Sequence, residues 1–335
     1  VAAEVRQWPG TSIVSHEILA TASRIQVEQA LTSLGIDDGV EIHLVLSARD
    51  LVRQIPAEWQ ENVKHRATVT YAEFLRRIQD PDRRSRIGSW FWGVQEIPDI
   101  LERWGERIPP ERVHVVTVPP PGSDPDELWR RFSRTFGLDD VPLDHGAERA
   151  NPSLGVPETA LLRSINSAVN ALVEPDAYRP LVRELIAHRT LSQRQGSPRL
   201  GLSPEVHAWA SALSREWVDE LRSRQYDVVG HLDELLGAEP AAWTDPDDAD
   251  PGAQLPAAVD AIRALLVEAT RLRGREAELD AELHRAREHV EHLRHELSRP
   301  RTMKEHTVHR LERSRTGRAG LGVYRRLRTR SSRSA

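Results

Sequence analysis

The sequence has no cysteine. Disulfide scaffolds, thiolate nucleophiles, zinc knuckles and iron–sulfur clusters are therefore excluded, and a reducing compartment is compatible with the chain. No stretch reaches the roughly 18 consecutive apolar residues of a membrane-spanning helix. The N-terminus also lacks the basic and apolar blocks of a secretory signal, so a cytoplasmic protein is expected. Gly-rich phosphate loops of the GxxxxGK[ST] or GxGxxG kind follow none of the apolar runs. Pro9-Gly10-Thr11-Ser12 has a similar composition, but it precedes a β-branched run where such a loop must follow a strand.

With 335 residues and 39% hydrophobic content, the chain has enough apolar material for one globular domain and an extended appendage. The formal charge of −5 conceals an asymmetry: Arg301–Ala335 carries eleven Arg or Lys against two Glu, so everything before it is strongly acidic. Val5–Trp8 reads as the end of a helix entering a turn at Pro9-Gly10, which predicts a further segment upstream of Val1.

The chain is organised around Val40–Lys64. An apolar strand, Val40–Leu46, breaks into a charged turn and helix start, Ser47-Ala48-Arg49-Asp50-Leu51-Val52-Arg53-Gln54. In open α/β sheets, ligands bind at this carboxyl edge. Before it, Thr11–Val14 reads as a short strand, followed by the polar turn Ser15-His16-Glu17 and a helix, giving β-α-β with a crossover long enough for parallel pairing. Pro56 is expected to interrupt the helix after Arg49. Further amphipathic segments follow around Tyr71–Ile78 and Ile97–Trp104, then a third strand at Val113–Val118. From Asn151 the pattern is helical, with Tyr226–Gly230 an edge strand or docking segment and residues 238–256 a linker rich in Asp, Pro and Ala. The expected organisation is an α/β domain over 1–237, a parallel sheet with crossover helices and then a helical subregion. The linker, a coiled-coil helix over 257–299 and a basic tail over 300–335, disordered or partly helical, complete the chain.

The coiled coil rests on a regular seam. Ile262, Leu265, Ala269, Leu272, Glu276, Leu279, Leu283, Ala286, Val290, Leu293 and Leu297 alternate steps of three and four. So charged a helix has no core of its own to cover that seam, and self-association is predicted. His284, His289, His292 and His295 lie on this helix without an i, i+4 pair, so a solvated face is expected and not a metal site. The basic tail suits nucleic acid, an acidic surface or the acidic body of its own chain; charge does not choose among them.

Several residues carry candidate chemistry. Arg49 and Arg53, at a strand end and helix start, offer guanidinium and backbone N–H groups that suit phosphate, the alternative being surface ion pairs with Asp50 or Glu58. Glu17 or His16 can act as a general base, or Glu17 can simply favour a helix N-terminus. Trp59, Glu61 and Lys64 lie along a prospective pocket, although Trp59 also suits packing under the Pro56 bend.

Ser15-His16-Glu17, Leu46-Ser47-Ala48-Arg49-Asp50 with Arg53-Gln54, and Trp59-Gln60-Glu61 occur in order. The strand into Thr117–Gly122, Leu128–Phe132, the loop Asn151–Gly155, and Arg163 and Asn166 follow. Together they resemble an actinobacterial sulfotransferase family over roughly Glu4–Leu236. The resemblance implies a P-loop-like α/β fold, incomplete at its N-terminus, that binds 3'-phosphoadenosine 5'-phosphosulfate. It further implies transfer of the sulfuryl group to a hydroxyl or amine of a small-molecule, glycan or lipid acceptor, with no metal. It assigns Arg49 to the 3'-phosphate and Glu17 or His16 to the region supplying a base. Where the family places a Ser eight positions after its Arg, this chain has Ala57, leaving Arg53 or Gln54 as substitutes. The family's first strand and its Pro-Lys-Thr-Gly-Thr-like donor loop are expected upstream of Val1. The alternative is a non-catalytic interaction protein that assembles through its coiled coil and basic tail.

Overall fold

The computed structural model describes residues 2–138, 141, 153–298, 303–314, 316–317 and 319–323. Two compact units divide the chain, Val1–Leu266 and Val267–Ala335. The first is an α/β unit. Its three parallel strands, β1 (Leu44–Ala48), β2 (Val113–Thr117) and β3 (Asp227–Val229), stand in the order β1-β2-β3. The central strand, Val-His-Val-Val-Thr, is buried along its whole length, as an apolar run covered on both faces must be. Leu44 pairs with Val113 and Ala48 with Thr117, and His114 pairs with Asp227.

Helices make up the rest: α1 (Ala2–Gln7), α2 (Arg24–Leu34), α3 (Leu51–Lys64), α4 (Tyr71–Ile78), α5 (Arg86–Gln95), α6 (Ile97–Gly105), α7 (Glu127–Thr135), α8 (Val156–Val169), α9 (Pro175–Tyr178), α10 (Pro204–Ser223), α11 (Pro251–Ser298) and α12 (Met303–Glu312). A π-helix over Arg179–Thr190 continues α9 directly. Helices α3 to α6 fill the crossover from β1 to β2, and α7 to α10 the crossover from β2 to β3.

Helix α3 is the pillar of the unit. Asp50 caps it by accepting from the Arg53 N–H at 2.9 Å, and Leu51, Ile55, Trp59 and Val63 recur at steps of four on its buried side. It packs against α8, α10 and the π-helix. Tyr71, Phe74, Phe91 and Trp92 extend the core as a chain of edge-to-face and stacked rings.

Three expectations need correction. Thr11–Val14 is not a strand: Ile13 and Val14 are 56% and 49% exposed, and among the described residues no strand pairs with them, so β-branched propensity finds no sheet edge to join. His16 and Glu17 therefore do not sit at a strand end beside Arg49. The helix after Arg49 is not interrupted at Pro56, which lies buried inside an unbroken α3; core packing outweighs the one backbone bond that proline removes. The segment assigned as a linker, 238–256, is partly docked. Asp247 accepts from the N–H groups of Tyr71 and Ala72 at 3.0 and 2.8 Å, capping α4, and α11 begins within it at Pro251.

The second unit contains the C-terminal part of α11 and helix α12. The latter is the helical part of a tail expected to be disordered or partly helical. Residues 324–335 of that tail, and Asn151 and Pro152 of the family-like loop, lie outside the described residues. Among the described residues no helix is long and apolar enough to cross a membrane.

Candidate functional site

At the carboxyl edge of the sheet, β1 ends at Ala48, and Arg49 and the helix cap Asp50 follow. Arg49 is half-buried, and its Nε is shielded from solvent yet has no hydrogen-bond partner. No carboxylate forms an ion pair with it among the described residues. Burial, and then the charge of Arg53, push its pKa down, the signature of a cation held without an acceptor. A buried guanidinium donor without a partner is costly, so an external acceptor is the natural completion.

Arg53 differs. Its guanidinium donates to Asp50 and to the carbonyls of Pro119 and Val118, at 2.8 and 3.1 Å, so its donors already tie α3 to the end of β2. Three of the five Arg53 donors are therefore engaged within the fold, unlike those of Arg49. Gln54 is half-buried in the first turn of α3.

Below Arg49, a knot fixes the end of β2. Arg131 donates to the Thr117 carbonyl at 2.7 Å and to Glu234 Oε1 at 2.8 Å, and the Thr117 hydroxyl donates to Glu234 Oε2. Arg131 holds the Glu234 carboxyl down at about 2, against an ordinary 4.5, aided by Thr117. Gly230, at φ +109, closes the knot, since a Cβ there would stand 2.1 Å from Thr117 Oγ1.

A second group of candidate side chains lies further along α3. Glu58, Glu61 and Lys64 follow one another at steps of three, Glu58 and Glu61 half-buried and Lys64 buried. Glu61 receives His65 Nε2 at 3.2 Å, Lys64 Nζ at 3.4 Å and Arg183 Nη2 at 3.4 Å, and is held down at about 2, chiefly by the His65 hydrogen bond. Among the described residues Glu58 has Asn62 and Gln95 as hydrogen-bonding neighbours, the latter at 3.4 Å. Burial raises its carboxyl above the ordinary range, and the charges of Glu61 and Glu17 add to this. Two carboxyls one helical turn apart with oppositely displaced pKa values divide naturally into a proton-transfer group and a fixed charge. Lys64 is only 3% exposed.

The π-helix packs against α3. Its wider turn brings residues five apart onto one face, so Arg183 and His188 both confront α3. Burial and the Lys64 charge depress the His188 pKa.

Of the residues expected from sequence, Glu61 and Glu17 are close enough to Glu58 for their charges to raise its carboxyl, and Lys64 pairs with Glu61 at 3.4 Å. His16 is exposed, and its Nδ1 accepts from the Ile18 N–H at 3.2 Å, capping the short 3-10 helix Glu17–Thr21; this is its structural employment. Trp59 is 0% exposed, and its indole N–H donates to the Val69 carbonyl at 3.1 Å. Its assignment to substrate binding is corrected, because a wholly buried ring with a satisfied donor belongs to the core. Glu58, Arg183 and His188 were not anticipated. Glu58 was readable from its helical spacing to Glu61; the other two depend on a π register that the sequence does not announce. Asn166 of the family-like pattern is also internal, donating to the carbonyls of Val63 and Ala67 at 2.7 and 3.0 Å. Among the described residues no cluster of three His, Asp or Glu converges to hold a metal ion. No family model, curated protein or solved structure matches this chain.

Proposed function

We propose that this chain is a sulfotransferase-like protein whose Arg49 binds the 3'-phosphate of 3'-phosphoadenosine 5'-phosphosulfate. The observation that carries this reading is the half-buried Arg49 guanidinium at the carboxyl end of β1, with a shielded Nε that lacks an acceptor. A phosphate supplies that acceptor and two further oxygens for the fork. From Arg49 to Glu58 the chain advances nine residues, roughly 13 Å at the helical rise, a distance on the scale of a nucleotide.

The proton chemistry falls to the polar face of α3. The acceptor hydroxyl or amine lies against Glu58, whose raised pKa suits it to take the proton as the acceptor attacks sulfur. The S–O bond to the 5'-phosphate breaks, and the nucleotide leaves as the 3',5'-bisphosphate. Glu17, Glu61, Lys64 and Arg183 fix the acceptor and keep Glu58 poised. Charge stabilisation at the leaving phosphate belongs, in the resembling family, to the donor loop.

A non-catalytic role in assembly is the rival reading, favoured by the exposed apolar seam along α11 and by Ala57 where the family has Ser. Calorimetry with 3'-phosphoadenosine 5'-phosphate separates the two. Saturable binding that falls at least about tenfold in Arg49→Met, as expected for loss of a charged hydrogen bond, supports the nucleotide site. Absence of binding, or equal binding by the variant, refutes it.

A further inference from the structure

The second unit presents an apolar stripe. Leu272, Leu279, Leu283, Val290 and Leu293 on α11 are 46, 49, 48, 47 and 43% exposed, and with Ala269, Glu276 and Ala286 they form an unbroken series of a and d positions. Five large aliphatic side chains on one line, half in water, demand a partner. The residues flanking the stripe identify it.

We propose that this face pairs with the same face of a second copy of the chain, as a parallel, in-register two-stranded coiled coil. In that arrangement each g position meets the e position five residues later on the partner helix. Glu268 then opposes Arg273, Arg275 opposes Asp280, and Glu282 opposes Arg287, with only His289 against Arg294 lacking opposite signs. Reversing one chain so that the same layers meet, with Leu272 over Val290 and Leu279 over Leu283, inverts the pattern. Arg273 then faces Arg287, Glu268 faces Glu296, and Asp280 and Glu282 each face their own copies. Sliding the reversed chain by one heptad restores opposite signs but drives Glu296 onto the flank of Ala261. That flank is already occupied, because Ala257 and Ala261 are 0% and 4% exposed against their own chain.

Glu276 sets the register. Buried at an a position it costs stability, but in register the two carboxylates disturb a single layer, and each helix brings Arg273 and Arg275 beside it. Any slip places Glu276 against apolar residues in two layers. A lone polar a residue fixes alignment in this way.

The absence of cysteine makes the test clean. In the full chain, Leu272→Cys and Leu293→Cys are introduced singly and oxidised, alone and mixed. Each is expected to form a disulfide-linked dimer alone, with no link between positions 272 and 293 in the mixture. Mixed Leu272→Cys and Val290→Cys linking while the single variants do not would establish the reversed arrangement and overturn the proposal. Sedimentation of the unmodified chain guards against adventitious oxidation: a dimer at micromolar concentration that Leu279→Glu with Leu283→Glu converts to monomer supports pairing through this seam. A monomeric wild type overturns it. Neither measurement depends on nucleotide binding, so failure here leaves the proposed site untouched, and the reverse also holds.

Discussion

Replacing Glu234 with Gln tests whether the Arg131–Glu234–Thr117 knot secures the sheet edge beneath Arg49. The side chains of Arg131 and Glu234 are 10% and 15% exposed, so the pair is shielded but not fully removed from water. Depression of the Glu234 carboxyl from 4.5 to about 2 sets an upper bound of about 3 kcal/mol, at ~1.4 kcal/mol for each pH unit. Residual solvent screening, and the bonds that Gln keeps, reduce the expected loss to about 1–2 kcal/mol. Because the folded pKa lies below the unfolded one, this stabilisation is fully present above pH 4.5 and is lost as pH falls toward 2. Urea unfolding of wild type and Glu234→Gln from pH 7 downward should show a gap that is constant at neutral pH and closes below about 4.5. A gap that is absent at pH 7, or that persists unchanged in acid, would refute the assignment of the ion pair.

The same approach extends to neighbouring features. Gly230→Ala should lose at least about 2 kcal/mol in urea unfolding, since φ is +109 and the new Cβ meets Thr117 and Arg131. Trp59→Phe should lower stability by roughly 1–2 kcal/mol through the lost Val69 hydrogen bond while leaving nucleotide affinity unchanged; a matching loss of affinity would return Trp59 to the pocket. Carbon-detected NMR titration should find Glu58 ionising above 4.5, and Glu61→Gln should bring it down by removing a like charge; no response to that substitution contradicts the proposed coupling.

Much of the sheet was legible because its strands are apolar runs: Val40–Leu46 and Val113–Val118 overlap β1 and β2, and Tyr226–Gly230 contains β3. Thr11–Val14 carried the same local signal and failed, because a strand needs a pairing edge that no short run encodes. Pro56 misled in the opposite direction, since burial on α3 overrides its local preference. The site was half legible. Arg49 was marked by standing at the strand-to-helix break, and Glu61 and Lys64 by following it along a prospective pocket. Whether an arginine is satisfied, however, is a tertiary fact: Arg53 four residues on looked equivalent until the carbonyls of Val118 and Pro119 claimed it. The long-range partners of Gln60 and Asn166, which bind the backbone at Leu154 and at Val63, were beyond local pattern for the same reason. That α11 is a helix was readable, being a purely local period.

The central claim is that Arg49 recognises the 3'-phosphate of a nucleotide. Calorimetric affinities of wild type and Arg49→Met for 3'-phosphoadenosine 5'-phosphate and for adenosine 5'-phosphate, which lacks the 3'-phosphate, close a cycle on that single contact. Wild type is expected to prefer the bisphosphate by about 10- to 100-fold, and the preference to collapse in the variant. An undiminished preference in Arg49→Met would contradict it.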